Sequence, residues 1–506
     1  MNESILLSVL IFSPLLGILI LTFMNKNENA TLKLVGFLAT LPAVLISVYL
    51  FVQVQLGISL STFAEKAKWI SFGAFSGGDN RPFTVNYELA IDEFSLIMLL
   101  LTSILAALSA AASIHIKQNV KGYFLLFLVL QIGMLGVFAA QNLILFFIFF
   151  EITLIPMFFL IGKWGYVERE RAAYHFLMYN GFGSAILLIV IMILFTKTGT
   201  TNIQLLQEMM GGTNVPMVGA MSEDLRLGLL IALLIAFGVK LPIFPLHRWM
   251  LKVHVQAPPP IVMLHSGILL KIGAYGLIRF GIGIFPEEFS RLGYLLMIFG
   301  VINLLYGAFL ALIQEEFKMV LAYSSISHMG IVLIGLGAMN EAGVQGAIFQ
   351  VVSHGLISAL LFFLVGVLTE RLQTTRINQL GGVAKLMPLT AGSLLVGAMA
   401  SLGLPGMSGF ISEVTAFLGA FEVAPELAAL GTIGIILTAA YLLRAVLSIT
   451  FGQVKKEHRP LKDLTWYEGG PVLIMIFLIV AIGVYPNVLA IPLQATVEAI
   501  TKGIGG

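Results

Sequence analysis

Residues 143–162 form one continuous apolar stretch, LILFFIFFEITLIPMFFLIG, in which Glu151 is the only charged residue. A helix of about 20 residues crosses the hydrocarbon core of a bilayer, so this stretch predicts a membrane-spanning helix. A charge at the bilayer centre costs about 3 kcal/mol on insertion scales, so a charged residue there is normally either excluded or functional. Lys240, Lys271 and Glu413 also lie inside strongly apolar stretches. The chain is therefore a candidate for moving charge across a membrane.

The composition of the whole chain agrees with that of the first stretch. The 506 residues are 58% hydrophobic and only 11% charged, with a mean hydropathy of +0.99, which predicts an all-α polytopic membrane protein. A net charge of +2 without a basic cluster gives no indication of nucleic-acid binding. The chain has no cysteine, which excludes disulfides and Cys-ligated clusters, and its eight histidines are not paired at ligand spacing. We expect no metal and no bound cofactor.

About 14 transmembrane helices are expected from the apolar runs. The first run has no basic residue before it, which indicates a membrane helix rather than a cleavable signal. Two longer polar loops are expected near 53–92 and 197–225. The predicted spans are 4–23, 31–52, 94–115, 122–140, 143–163, 174–196, 226–243, 258–281, 292–313, 318–338, 344–370, 391–422, 428–451 and 470–490.

Basic residues are distributed unequally between the two sides of these spans. Loops after odd-numbered spans contain 17 of the 28 lysines and arginines, and loops after even-numbered spans contain 7. Because cytoplasmic loops carry the excess of Lys and Arg, the odd-numbered loops are predicted to be cytoplasmic. An even number of spans then places both termini on the outer, periplasmic side of a bacterial inner membrane.

Two of the spans contain similar internal breaks. The seventh contains GVKLPIFPLHRW and the twelfth contains SLGLPGMSGFISE, so Pro242 and Pro405 each remove a backbone donor inside a span. The breaks are five spans apart, and a repeat of five spans must be inverted in the membrane. Inverted repeats with broken helices are typical of ion and substrate paths in transporters. We therefore expect four segments: an N-terminal three-helix segment, 1–115; two inverted five-helix repeats, 116–285 and 286–455; and a C-terminal helix and tail, 456–506.

The charged and titratable residues suggest a path for protons. Lys240 lies two residues before its break, and Glu151 is its expected intramembrane partner, although a static ion pair that fixes helix packing is the alternative. Lys271 lies too deep in its span for snorkelling to be the preferred explanation. His328 and His354 follow beside several hydroxyl residues, and histidine exchanges protons near physiological pH.

Glu413 completes the set, although the break leaves its depth open and an interfacial carboxylate is the alternative. Titratable groups of alternating type suit a proton, which moves between groups and water, better than a solute that needs a single pocket.

The same residues carry a resemblance to a known family. The segments FFEITLIPMFFLIGKWG, GVKLPIFPLHRWMLKVHVQAPPP, LLKIGAYGLIRF, AYSSISHMG and LPGMSGFISE are similar to those of the antiporter-like membrane subunits of respiratory complex I and of multisubunit cation/proton antiporters. The resemblance covers roughly residues 90–450. Glu413 distinguishes among these subunits, because two sister chains of the complex and one antiporter subunit carry lysine at that position.

The resemblance implies a function for each residue. Glu151 and Lys240 would form the coupling ion pair, and Lys271 would be the central relay group. His328 and His354 would link Lys271 to Glu413, the terminal acid that exchanges protons. The chain would be a proton-translocating subunit of an NADH:quinone oxidoreductase, without flavin, iron–sulfur cluster or nicotinamide of its own.

The same resemblance implies partners and leaves two alternatives. The partners would be neighbouring antiporter-like chains, small membrane chains and the lipid bilayer. One alternative is a subunit of a multisubunit Na⁺/H⁺ antiporter. The other is a stand-alone solute carrier, which the lack of a central pocket motif disfavours.

Overall fold

The structure, a computed structural model, describes residues 4–72, 83–211, 221–454 and 461–502. Four of the counted basic residues, Arg81, Lys455, Lys456 and Arg459, lie outside these ranges, as does the predicted boundary between 455 and 456.

The described chain is almost entirely helical, which confirms the all-α polytopic class. In chain order the helices are α1 (Leu6–Phe12), α2 (Pro14–Phe23), α3 (Asn29–Leu38), α4 (Leu41–Gln55), α5 (Glu93–Ala112), α6 (Val120–Ala139), α7 (Leu143–Trp164), α8 (Arg169–Thr198), α9 (Ile203–Met210), α10 (Glu223–Lys240), α11 (Arg248–Gln256), α12 (Pro259–Leu264), α13 (Leu270–Gly276), α14 (Pro286–Ile313), α15 (Phe317–Ala338), α16 (Glu341–Leu372), α17 (Val383–Leu386), α18 (Pro388–Ser401), α19 (Ser408–Val423), α20 (Pro425–Thr450), α21 (Trp466–Val484) and α22 (Asn487–Lys502).

Twelve helical segments in the described ranges are long and apolar enough to cross a membrane. Three of them join consecutive short helices: α1 with α2, α3 with α4, and α12 with α13. Two more spans are interrupted, one between α10 and α11 and the other between α18 and α19. Twelve continuous and two interrupted spans account for the fourteen that the sequence predicts. The division into two inverted repeats stays a prediction.

The centre of the bundle is formed by the span that contains α12 and α13 together with α16. The most apolar windows of Pro259–Ile282 and Glu341–Leu372 are each 100% buried inside the protein, whereas that of Leu6–Phe23 is 33% buried. The two central spans carry Lys271 and His354. Any site built on them is therefore shielded from lipid by the surrounding helices.

The span through α12 and α13 is not a regular α-helix. Two π-helical segments, His265–Leu269 and Leu277–Ile282, flank α13, which carries Lys271. Single π-turns inside α-helices occur frequently at functional sites, because they disturb the regular ladder of backbone hydrogen bonds.

The loop expected near 53–92 contains a β-hairpin that the sequence analysis did not predict. Strand β1 (Glu65–Phe72) pairs antiparallel with β2 (Phe83–Leu89), with Glu65 opposite Leu89. Glu88 accepts hydrogen bonds from Lys66 at 2.7 Å and from Asn202 at 2.8 Å. Burial alone would raise the pKa of Glu88, but these donors together with Asn86 lower it. The hairpin is thereby fixed to the start of α9, which lies in the other long loop.

A polar side chain satisfies the backbone at the first break. Asn303 of α14 is fully buried, and its Oδ1 accepts a hydrogen bond from the Phe244 N–H at 2.7 Å. Its Nδ2 donates to the Pro242 carbonyl at 3.2 Å. In lipid, an interrupted helix persists only where protein or water satisfies the freed groups. Asn303 meets that requirement from a helix about 60 residues away in sequence, which the local pattern could not indicate.

The second break, between α18 and α19, is stabilised by the backbone of the same segment. Gly403 and Gly406 have φ values of +77° and +88°, a region that glycine adopts without the penalty that other residues incur. The N–H of Leu404 donates to the Met399 carbonyl at 3.0 Å. The two breaks therefore resemble each other in sequence but are stabilised in different ways.

The last predicted span, 470–490, extends too far. Helix α21 ends at Val484, and α22 begins at Asn487 after the Tyr485–Pro486 pair. The residue before a proline is disfavoured in the helical region, which explains the stop. Thr496 of α22 donates a hydrogen bond to Glu93 at the start of α5 at 2.8 Å, so the C-terminal segment packs back on the bundle.

We predict opposite stability changes for two glycine-to-alanine substitutions. A Cβ at Gly346 of α16 would lie 2.2 Å from the backbone N of Ala416 on α19, whereas a Cβ at Gly392 of α18 would meet nothing within 4 Å. Gly346→Ala should destabilise the protein by about 1–3 kcal/mol through overpacking. Gly392→Ala should stabilise it by about 0.5–1 kcal/mol, because alanine is the better helix former. The midpoint of thermal unfolding in detergent measures both, and equal midpoints would contradict the packing of α16 against α19.

Candidate functional site

Glu151 lies in the middle of α7, eight residues after its start at Leu143. Its side chain is half-buried, and Oε1 has no hydrogen-bond partner among the described residues. A buried carboxylate oxygen without a donor is costly and is normally explained by a partner that moves or by a functional role. Glu151 therefore stands out on geometry as well as on sequence.

Lys240 ends α10 beside Glu151 but does not contact it. The side chain is 2% exposed, and Nζ lies 3.5 Å from the Thr153 hydroxyl and 4.3 Å from the centre of the Phe150 ring. Phe150 and Thr153 flank Glu151 on α7. No N–O distance between Lys240 and Glu151 is within 4.0 Å, so the predicted ion pair is open and the hydroxyl holds the ammonium.

Lys271 is fully buried at the centre of the bundle. Its Nζ donates to the Ser266 carbonyl at 2.7 Å and lies 2.6 Å from Nδ1 of His354 on α16. The ammonium group therefore does not snorkel to an interface. Lys271 is in direct hydrogen-bond contact with a group that accepts a proton.

His328 on α15 continues the line from His354. The centres of the two imidazole rings are 5.4 Å apart. Nε2 of His328 lies 3.1 Å from the Ser401 hydroxyl, and Nδ1 lies 3.1 Å from the amide nitrogen of Gln350. If Gln350 donates to Nδ1, then Nε2 carries the hydrogen and donates to Ser401.

Glu413 faces the same ring nitrogen of His328. Its carboxylate lies 3.7 Å from Nδ1 of His328, and the residue is 5% exposed. The carboxylate also packs directly against Gly403, since a Cβ there would lie 2.4 Å from Oε2. Glu413 is therefore buried inside the protein, beside the second break.

Gln350 is a residue that the sequence analysis missed. It is 2% exposed, and its carbonyl oxygen accepts a hydrogen bond from Ser412, the neighbour of Glu413, while its nitrogen faces His328. It lies one turn before His354 on the same face of α16, and that i, i+4 spacing was the available signal.

A second histidine pair was also missed. The sequence analysis did not select His254, and it did not pair His265 with Lys271. The structure places Nε2 of His254 2.9 Å from Nδ1 of His265, with both rings fully buried. His265 is close enough to Lys240 and Lys271 to interact electrostatically with both. The pair is therefore near both lysines selected from the sequence.

The six residues selected from sequence thus fall into two clusters, with the buried histidine pair near both lysines. Glu151 and Lys240 form one cluster. Lys271, His354, His328 and Glu413 form the other: Lys271 contacts His354, the ring centres of His354 and His328 are 5.4 Å apart, and Glu413 lies 3.7 Å from Nδ1 of His328. All four groups can gain and lose a proton, so the arrangement can pass a proton from one group to the next. Arg444, a further charged residue in α20, is exposed and is not part of either cluster.

One group of side chains in the described ranges is close enough to hold a metal ion, and it lies outside these clusters. His115, Glu370 and Glu468 offer ligand atoms within 4.8 Å of one another. Both ring nitrogens of His115 face a carboxylate, Glu370 at 2.7 Å and Glu468 at 2.9 Å, and Arg371 contacts Glu468 at 2.6 Å. Because every group already has a charged partner, the arrangement fits an ion cluster that ties α16 to α21 better than a metal centre.

We predict that two buried glutamines respond oppositely to replacement by leucine. Gln350→Leu removes the donor to His328 and the acceptor for Ser412, and unsatisfied buried partners cost about 1–3 kcal/mol each. The control is Gln131→Leu, because the buried amide of Gln131 has no hydrogen-bond partner among the described residues, so leucine removes an unpaired group. Thermal unfolding in detergent should show a lower midpoint for Gln350→Leu and an unchanged or higher one for Gln131→Leu. A lower midpoint for Gln131→Leu alone would refute the assignment of Gln350.

Comparison with known proteins adds independent findings. Residues 140–438 match a family model described as NADH:quinone oxidoreductase/Mrp antiporter, transmembrane. The chain is 35% identical to NADH-quinone oxidoreductase subunit M of Rhodobacter capsulatus over 492 aligned residues. The alignment covers 96% of this chain and 94% of that protein.

Two solved structures share the fold. A chain of respiratory complex I from Thermus thermophilus with bound NADH matches with a TM-score of 0.84 and 28% identity, over 99% of this chain and 100% of that one. A chain of the Mrp complex from Dietzia sp. DQ12-45-1b matches with a TM-score of 0.79 and 22% identity, over 100% of this chain and 97% of that one. The second likeness shows the fold alone.

Proposed function

This chain belongs to the NADH:quinone oxidoreductase/Mrp antiporter transmembrane family, and on that basis we propose that it is a proton-translocating membrane subunit of an NADH:quinone oxidoreductase. It couples electron transfer from NADH to quinone, in other subunits, to proton pumping across the membrane. The observation that carries the proposal is the buried series Lys271, His354, His328 and Glu413, in which consecutive groups are in contact or nearly so.

Coupling begins at Glu151 and Lys240. Their open arrangement gives Lys240 two positions, one on the Thr153 hydroxyl and one on the carboxylate of Glu151. Two unit charges 4 Å apart interact by about 4 kcal/mol at an effective dielectric constant of about 20. We infer that closing or opening that pair changes the electrostatic potential at His265, which is within electrostatic range of both Lys240 and Lys271.

Proton transfer then follows along the second cluster. Lys271 gives its proton to His354 across the 2.6 Å contact. His354 passes it to the neighbouring ring of His328, where Nδ1 takes up the proton as its hydrogen bond from Gln350 breaks, and Nδ1 then donates the proton to the carboxylate of Glu413. Gln350 positions His328 and Ser412 so that Nδ1 faces the carboxylate.

The chain itself performs no redox step. It has no cysteine to ligate an iron–sulfur cluster, and we propose that it binds no flavin, nicotinamide or metal. Its part in the oxidoreductase is to hold and move protons, and the redox centres belong to other subunits.

The partners and the orientation follow from family and charge. We propose that the chain packs between neighbouring antiporter-like chains and small membrane chains in the membrane arm of the complex. The 17-to-7 bias of basic residues supports both termini on the periplasmic side of a bacterial inner membrane.

A subunit of a multisubunit Na⁺/H⁺ antiporter remains the second candidate. The family description includes the Mrp antiporters. Glu413 favours the oxidoreductase, because the family resemblance assigns lysine to that position in the antiporter subunit.

We predict that Glu151→Ala and Lys240→Ala each reduce NADH-driven proton pumping to a few per cent of the wild-type rate. Each removes one partner of the coupling pair, and a loss of more than about 1.4 kcal/mol of stabilisation already lowers a rate tenfold. Pumping is measured by dye quenching in inverted membrane vesicles driven by NADH. Lys385→Ala is the control, because Lys385 is exposed and belongs to neither cluster. Wild-type pumping in both Glu151→Ala and Lys240→Ala would rule out the coupling role.

A further inference from the structure

A basic cavity lies on the side of the bundle that we propose to be cytoplasmic. It is formed where the first turns of α8 meet α11 and the start of α15, with a volume of about 530 Å³. Arg171, Arg248 and Lys252 line it, and Glu168 is its only acidic lining residue. The cavity takes no part in the proton relay described above.

The positive charge of this cavity is not balanced by the described chain. Lys252 donates to Nε2 of His175 at 2.8 Å, and Nδ1 of His175 faces the Arg171 carbonyl at 2.7 Å. Nε2 of His175 therefore accepts from Lys252, and His175 supplies no negative charge. Glu168 lies 3.9 Å from Arg171, between exposed groups, and acts on Lys252 only from a longer distance. No described carboxylate lies within 4.0 Å of Arg248 or Lys252. The cavity is thus suited to an anion.

Helix α8, whose first turns line the basic cavity, also carries a row of exposed apolar residues, which we call the apolar stripe. Tyr174, Met178, Phe182 and Ile189 of α8 are between 59% and 71% exposed. Their spacing of four and seven residues places them on one face of the helix. At 1.5 Å per residue they cover about 22 Å along α8, which exceeds the half-thickness of a hydrocarbon core of about 30 Å. The first residue of the stripe, Tyr174, lies about one helical turn after Arg171 of the cavity.

We propose that this cavity binds the phosphate headgroup of an anionic phospholipid, whose acyl chains lie along the apolar stripe of α8. Basic pockets between transmembrane helices on the cytoplasmic side are typical sites for anionic headgroups. Tyr179 and Tyr323 line the same cavity, and tyrosine is enriched at the headgroup level of membranes.

The bound lipid would act on the relay through α11. Arg248 and Lys252 lie on α11, and so does His254 of the buried histidine pair. A headgroup that neutralises both cations holds this short helix in place next to the first break.

The first test measures lipid retention by the complex that contains the chain. It is purified and equilibrated with a mixture of phosphatidylglycerol and phosphatidylcholine, washed in detergent, and its lipids are counted by mass spectrometry. The double variant R248Q/K252Q should retain about one phosphatidylglycerol fewer per complex than wild type, since one cavity binds one headgroup. The control R376Q/K385Q removes two exposed charges elsewhere on the same side and should match wild type. Equal retention in all three forms would overturn the proposal.

The second test identifies what covers the stripe and does not depend on the double variant folding. Met178, which is 71% exposed, is replaced by the photoreactive residue p-benzoylphenylalanine, and the complex is irradiated in membranes. A phospholipid adduct supports the proposal. An adduct with a neighbouring protein chain would overturn it and assign the stripe to a subunit interface.

Discussion

The structure depends on one constraint: an ionisable group inside an apolar bundle needs polar partners, and lipid does not supply them. Lys271 meets it with a backbone carbonyl and the ring of His354, and Glu413 meets it beside His328. A lone buried charge costs several kcal/mol after relaxation, so the helices that bring these partners are placed with little freedom. The two most buried spans are accordingly the ones that carry Lys271 and His354.

The same constraint explains the irregular backbone. Both interrupted helices leave carbonyl and N–H groups without helical partners near the charged residues. The side chain of Asn303 hydrogen-bonds to these groups at the first break, and turns at glycines with positive φ form the second break. The π-helical segments on either side of α13 fall beside Lys271. Irregular backbone inside a membrane protein is tolerated where protein surrounds it. In this chain the irregular segments lie near the charged residues of the proposed proton path.

The sequence predicted which residues belong to the site better than it predicted which residues they contact. Glu151 and Lys271 were evident because a charge in an apolar run is rare, and the breaks were evident because proline acts locally. Asn303 and His254 were missed because their partners lie on other helices, and no local period records such contacts. Gln350 shares the i, i+4 face of His354, but its contacts with His328 and Ser412 also depend on packing. The contact of Lys240 with the Thr153 hydroxyl, two residues after Glu151, could likewise be placed only by packing. The β-hairpin was missed because a polar loop without clear alternation gives little signal.

The central claim is that the proton path passes through Lys271 and that the pair of Glu151 and Lys240 controls it. The most direct measurement is the number of protons translocated per NADH oxidised by the complex with Lys271→Met, reconstituted in liposomes and compared with the Lys385→Met control. If the path passes through Lys271, the ratio falls in Lys271→Met and stays at the wild-type value in Lys385→Met. An unchanged ratio in Lys271→Met, with normal NADH oxidation, would show that protons cross the membrane by another route.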